Sequence, residues 1–275
     1  MAGSAQPVLD RSRVVSYCRG RRMVPGESNR QIHHEGQFDA VGEPLFSVQE
    51  VRQLWAFLDG AIMAVDTRHR LWRSWGLCPR HAWGYAIAEI ELRGGRPFST
   101  TILYEDLVGR ARRLLERTRL LPWSVVVTRF RPRGECSTCD FLAIDPRFVE
   151  DHAQAMTAEV NRLERTRELL SASRPIWMES SCPHCLGGGG PVCLRHLLSG
   201  QDPGQDPGED RQGLIEQVGD LDRRLRAFGK SMTWKGGPAT HSEQASWIEA
   251  LGWLADWRFP LLVLGESPSV GGPAR

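Results

Sequence analysis

A chain of 275 residues, 41% hydrophobic and 8% aromatic, is neither a disordered tail nor a collagen-like fibre. Its length supports one large domain or two small ones, and a formal net charge of +2 argues against broad nucleic-acid affinity. Seven cysteines are too few for a disulfide scaffold, and no stretch reaches the roughly 18–20 apolar residues of a membrane helix. Residues 1–30 hold no apolar segment of signal-peptide length. These features point to a cytoplasmic chain in which paired cysteines signal metal or redox chemistry.

Residues 1–45 lack periodicity and read as a mobile arm carrying Cys18 and Arg19-Gly20-Arg21-Arg22. The pair Ser47 and Glu50 is a capping box that opens a helix, with Val51, Leu54, Leu58, Ile62 and Val65 at helical spacing. A short helix follows Asp66 and stops at Gly76. Pro79 fits a first helical turn, and the next helix runs to about Arg93 before Gly94-Gly95. A further helix over about 101–121 aligns Leu103, Leu107, Leu114 and Leu121. Residues 124–130 contain the one β-branched run (Val125, Val126, Val127, Thr128), the single strand candidate. Asp145-Pro146 then opens one long helix whose inward face carries Phe148, Met156, Val160, Leu163 and Leu170. A repeated Gln-Asp-Pro-Gly in residues 201–211 reads as a flexible acidic loop. Leu214, Val218, Leu221, Leu225 and Phe228 mark a helix with a narrow apolar seam, and Thr240 with Glu243 caps a last one carrying Trp247, Ile248, Leu251 and Leu254. The tail over 266–275 is rich in Pro and Gly. The expected segments are thus 1–45, a helical region 46–200, the loop 201–211, a helical pair 212–265 and the tail.

Four short motifs carry the chemistry. Two are CxxC, Cys136 with Cys139 and Cys182 with Cys185; two are CxxH, Cys78 with His81 and Cys193 with His196. Two intervening residues let both side chains reach one ion. A helix start adds a dipole that favours thiolate, and puts the histidine one turn on along the same face. Six cysteines and two histidines make two sites of three thiolates and one imidazole each, a donor set that suits structural zinc, about two ions per chain. Iron–sulfur clusters usually draw four thiolates. The preferred grouping joins Cys182, Cys185, Cys193 and His196 locally, through the turn at Gly187 to Gly190, and leaves Cys78, His81, Cys136 and Cys139 as the other set. The alternative pairs Cys136 and Cys139 with Cys193 and His196.

The two CxxH segments, Gly76 to Ala82 and Pro191 to Leu197, are alike in context, a weak internal repeat. The expected fold is therefore mainly α: an irregular helical bundle in two related halves stabilised by zinc sites, with very little strand. With these motifs the chain resembles an uncharacterised bacterial family of helical proteins, a domain of unknown function with paired CxxC and CxxH motifs. The matching positions are Gly76-Leu77-Cys78 to His81, Tyr104 to Leu107, Cys136, Cys139, Val192 to His196 and Glu243 to Leu251. The chain departs from that pattern where a CxxC normally precedes the first CxxH, and Cys182 with Cys185 looks additional. The resemblance implies fold and ligands and supplies no activity.

The reading of function is a zinc-binding interaction or regulatory module with a protein partner, closer to a binding protein than to an enzyme. Two alternatives stand beside it. Residues 110–133 hold eight arginines against one acid, Glu116, so Arg110, Arg112, Arg113 and Arg117 are candidate nucleic-acid contacts. The sequence Cys182-Pro183-His184-Cys185 is that of a thioredoxin-like oxidant and allows thiol redox chemistry. Tyr104-Glu105-Asp106 invites an acid–base reading, against which stands a helix-start pair that complements the dipole. No phosphate loop, nucleophile elbow or dinucleotide fingerprint is present in the sequence.

Overall fold

The computed structural model describes residues 44–144, 151–199 and 211–266. These form helices and turns, with no strand among the described residues. The expected arm through residue 43, the Asp145-Pro146 start with Phe148, the Gln-Asp-Pro-Gly repeat and the tail from 267 lie outside the described residues. No described helix is long and apolar enough to cross a membrane.

In chain order the helices are α1 (Val48–Leu58), α2 (Val65–Ser74), α3 (Pro79–Leu92), α4 (Phe98–Arg117), α5 (Trp123–Phe130), α6 (Ser137–Ile144) and α7 (Asp151–Arg162). They continue as α8 (Glu164–Ala172), α9 (Arg174–Glu179), α10 (Pro183–Leu186), α11 (Leu194–Ser199), α12 (Arg211–Ser231), α13 (His241–Leu254) and α14 (Phe259–Leu264). Both sequence-read capping boxes form: Ser47 with Glu50 opens α1, and Thr240 with Glu243 opens α13.

The core is built around α3 and α13, which are apolar on nearly every side and buried from His81 to Glu91 and from Ala245 to Leu254. Helices α1, α7, α8 and α14 pack on α3, while α12 lies along α4 and carries α13 with it. Trp83 joins the two centres of the core, stacking on Phe259 at 5.8 Å and meeting Trp247 edge-on at 6.2 Å. Its indole nitrogen donates to the Asp256 carbonyl, and that of Trp177 to the Leu170 carbonyl, so these buried rings leave no donor unmet.

Two carboxylates inside α3 explain helix boundaries that sequence spacing misplaced. Glu89 accepts the backbone N–H groups of Ser99 and Thr100 at 2.6 and 2.8 Å, and so starts α4 at Phe98, before the expected Thr101. Glu91 accepts the Thr166 backbone N–H at 2.8 Å and its hydroxyl at 2.7 Å. The long helix expected through Leu163 is therefore two. Leu163 takes a left-handed conformation (φ 60°) between α7 and α8, and Glu91 caps the new N-terminus. Each carboxylate serves a neighbouring helix, which offsets the cost of its burial.

The strand expected at residues 124–130 is α5 instead. Val126 and Phe130, four apart, are buried at 1% and 0% exposure, whereas Val125 is 36% exposed. Helical burial of that face overrides the β preference of three valines.

Candidate metal centres

All four motifs use one local device. Cys78 occupies the N-cap of α3, with Pro79 at the first helical position and His81 one turn on. Cys193 stands before α11, and its carbonyl accepts the Leu197 N–H at 2.9 Å. The CxxC pairs do likewise: the Cys136 carbonyl accepts the Asp140 N–H at 3.0 Å as α6 begins, and Cys182 is the N-cap of α10. Each first candidate ligand thus sits where the helix dipole favours thiolate, and each second one projects from the following turn.

Tertiary structure brings these motifs together in two sets, Cys78 with His81, Cys136 and Cys139, and Cys182 with Cys185, Cys193 and His196. Within each set the donor atoms all lie within 4.8 Å of one another. In the first, His81 Nδ1 is 3.3 Å from Cys78 Sγ, 3.6 Å from Cys136 Sγ and 3.2 Å from Cys139 Sγ, and the Cys78 and Cys139 sulfurs are 3.7 Å apart. In the second, His196 Nδ1 lies 3.6, 3.3 and 3.2 Å from Cys182, Cys185 and Cys193, and the Cys185 and Cys193 sulfurs are 3.6 Å apart. A tetrahedral zinc with bonds of about 2.3 Å to sulfur and 2.0 Å to nitrogen spaces its ligand atoms about 3.5–3.8 Å apart. Both sets are close to that size, and none of the six thiols is in a disulfide. The geometry groups the motifs as the local pairing does; Cys136 and Cys139 do not join Cys193 and His196.

The thiols already compete for charge. Hydrogen bonds from Cys139 and Cys78 hold the Cys136 thiol well below its usual value, and those from Cys185 and Cys193 do the same for Cys182. The Cys193 thiol is pushed up to about 12, first by its hydrogen bond with Cys182. In the second set one thiol is thus favoured as thiolate at the expense of its neighbours, and a bound cation would favour all three as thiolates.

The supports around the centres differ. His81 Nε2 faces Glu50 Oε1 at 3.3 Å, and both side chains are almost wholly buried. Glu50 also accepts from Arg80 Nε at 2.5 Å and Nη2 at 3.1 Å, and from the Ser47 backbone N–H at 2.8 Å. Burial alone would raise the Glu50 carboxyl, yet hydrogen bonds from His81 and Arg80 hold it well below the usual carboxylate range. A carboxylate behind a ligating imidazole fixes its tautomer and orientation, leaving Nδ1 to the metal. The sequence showed Glu50 only as a helix cap. Its second duty depends on α1 packing against α3.

The second centre is steadied by side chains from α13 and the residues just after it. Trp253 Nε1 donates to the Val192 carbonyl at 3.0 Å, just ahead of Cys193, and Arg195 pairs with Asp256 at 3.6 Å. His196 lies 5.4 Å from the His184 ring, with no carboxylate within 4.0 Å of it among the described ion pairs. The glycine turn has two separate uses. Gly187 ends α10 at φ 73°, and Gly190 presses on the end of α9 so closely that a Cβ would lie 1.8 Å from the Ser180 carbonyl oxygen.

Other sequence candidates are placed elsewhere. Cys182 is fully buried, at the N-cap of a four-residue helix with no neighbouring strand among the described residues, unlike the setting of an accessible redox thiol. Glu105 and Asp106 lie well inside α4 and not at its start. Glu105 pairs with Arg226 at 3.3 Å, and Asp106 accepts from Trp72 Nε1 at 2.6 Å and meets Arg68 at 3.5 Å. Tyr104 is buried beside the first centre; burial, then the nearby Cys136 and Cys78, push its phenol well above the usual value. Compared with family models, with curated proteins and with solved structures, the chain gives no match.

Proposed function

We propose that the chain is a structural zinc protein, a helical interaction or regulatory module whose two Cys3His centres hold its short helices in register. The observation that carries this reading is the closure of both sets: four protein donors converge in each at tetrahedral spacing. Catalytic zinc instead keeps one position for water or substrate. The helices that the centres tie down, α6, α10 and α11, have 8, 4 and 6 residues, too short to persist alone in water. Metal binding of the usual strength for such sites contributes on the order of 10 kcal/mol to folding. The same reading sets the chain beside the bacterial helical family whose motifs it resembles. A protein partner is supported by exposed apolar side chains on one face, Met63 at 69% and Val65 at 67%, which line a 520 Å³ cavity with Ile102.

The test is metal analysis of purified protein, with thermal unfolding before and after chelation. The expected result is about two zinc ions per chain and a cooperative loss of helix on removal. Less than about half an equivalent of metal, or an unfolding curve indifferent to chelator, overturns the reading.

A further inference from the structure

We propose that the basic cavity bounded by α2, α4 and α5 binds an oligophosphate chain, either free or as the phosphate tail of a nucleotide. The cavity has a volume of about 390 Å³. Arg110, Arg113 and Arg117 reach it from one face of α4, at the spacing of three and four that aligns side chains on a helix. Arg129, Arg131 and Arg133 enter from the end of α5 and the turn after it, and Arg73 from the end of α2. The turn is fastened to α2 by the Arg133 backbone N–H, which donates to the Arg73 carbonyl at 2.7 Å.

Charge balance distinguishes this cluster from the other arginines on the same helices. Arg112, beside Arg113 in sequence, turns away to Asp222 at 3.1 Å and Glu116 at 3.2 Å. Arg68 meets Asp106 at 3.5 Å. None of the cavity arginines forms an ion pair among the described residues, and no carboxylate lines the cavity. Seven like charges around one space repel, and an anion is the partner that relieves them. Arg110 is placed without a carboxylate: its guanidinium lies 5.5 Å from the Trp72 ring centre and 5.8 Å from that of Trp75. Planar guanidinium forks match phosphate oxygens two at a time.

The shape selects the ligand class. A duplex is met by a row of cations along a surface that tracks its backbone, whereas these arginines surround a single concave volume. An oligophosphate places several charges within such a space. The adjoining 520 Å³ cavity shares Trp72 and Arg113 but is lined by Glu105 and Asp106 as well, so the phosphate charge belongs on the all-arginine side.

The experiment is calorimetric titration of the full, metal-containing chain with inorganic tripolyphosphate, ATP and an oligothymidylate at about 50 mM salt. One tripolyphosphate should bind per chain. Arg113→Glu and Arg117→Glu should each weaken it by roughly 10–100-fold, because each removes charge-assisted hydrogen bonds and adds a like charge to the ligand. Arg223→Glu, at an exposed position on α12, should stay within about twofold. Tighter binding of ATP than of tripolyphosphate assigns a nucleotide, and equal binding a free oligophosphate. Absence of heat with both at millimolar concentration overturns the proposal. So does unchanged affinity in both reversal variants, shown folded by circular dichroism, or oligothymidylate binding that tripolyphosphate does not displace.

Discussion

Replacing Glu50 by alanine tests how far the proposed first zinc centre depends on a residue outside its four candidate ligands. Its side chain is 2% exposed, accepts hydrogen bonds from the Ser47 backbone N–H and the Arg80 guanidinium, and faces the His81 ring nitrogen at 3.3 Å. Loss of the cap alone costs about 1 kcal/mol. The larger loss comes from Arg80, whose side chain is 16% exposed and would keep its charge with the carboxylate gone. Removing one partner of such a buried pair costs about 3–5 kcal/mol, so that range is the expected loss of stability. At the metal, releasing His81 from its carboxylate should weaken binding by roughly 10–100-fold. Chelator competition on the zinc-loaded chain reads this directly. The variant should release one ion early, from the first centre, and the second at the chelator concentration that the unaltered chain requires. Glu50→Gln, which keeps shape and one carbonyl acceptor, should fall between the two. Release of both ions together at the unaltered concentration would refute the role given to Glu50, even if denaturant unfolding showed lost stability.

Substitutions at three further places probe the fold. Gly190→Ala forces a Cβ against the Ser180 carbonyl, so metal counting should show about one ion retained, that of the first centre, with the turn of the second displaced. Val126→Ala should destabilise by about 1–3 kcal/mol in chemical denaturation, while Val125→Ala stays within about 0.5 kcal/mol. Equal effects at both would contradict the helical burial of α5. Arg224 grips Glu249 with two bonds of 2.5 and 2.8 Å between α12 and α13, and the glutamate side chain is 4% exposed. Glu249→Ala should cost about 3–5 kcal/mol, and the double change Arg224→Met with Glu249→Leu should recover most of it in the same assay.

Much of the helical architecture is written locally. The capping boxes at Ser47 and Thr240 and the seam from Leu214 to Phe228 depend on contacts within a few residues, so their periodicity and end signals are readable in the chain. The eight candidate ligands are legible for the same reason: each motif is a helix start with a second donor one turn later. Their grouping is local for Cys182 to His196, which spans 15 residues, and the short turn at Gly187 to Gly190 all but dictates it. What connects Cys78 and His81 to Cys136 and Cys139 is the packing of α2 and α1 against α6, and no spacing in the sequence encodes that.

The sequence by itself determined that this is a helical chain with two potential sets of three thiols and one imidazole, because helix periodicity and ligand spacing are short-range properties. Only the tertiary structure decided where helices end when the capping group comes from elsewhere, as Glu89 and Glu91 do for α4 and α8. It alone turned the valines of residues 125–127 into a helix with one buried face, and placed Glu50 behind His81. It also divided a single arginine-rich stretch, pairing Arg112 with acids while gathering its neighbours around one cavity. The reason is common to all of these. Burial, capping in trans and charge compensation are set by which surfaces meet, and residues far apart in the chain supply those surfaces.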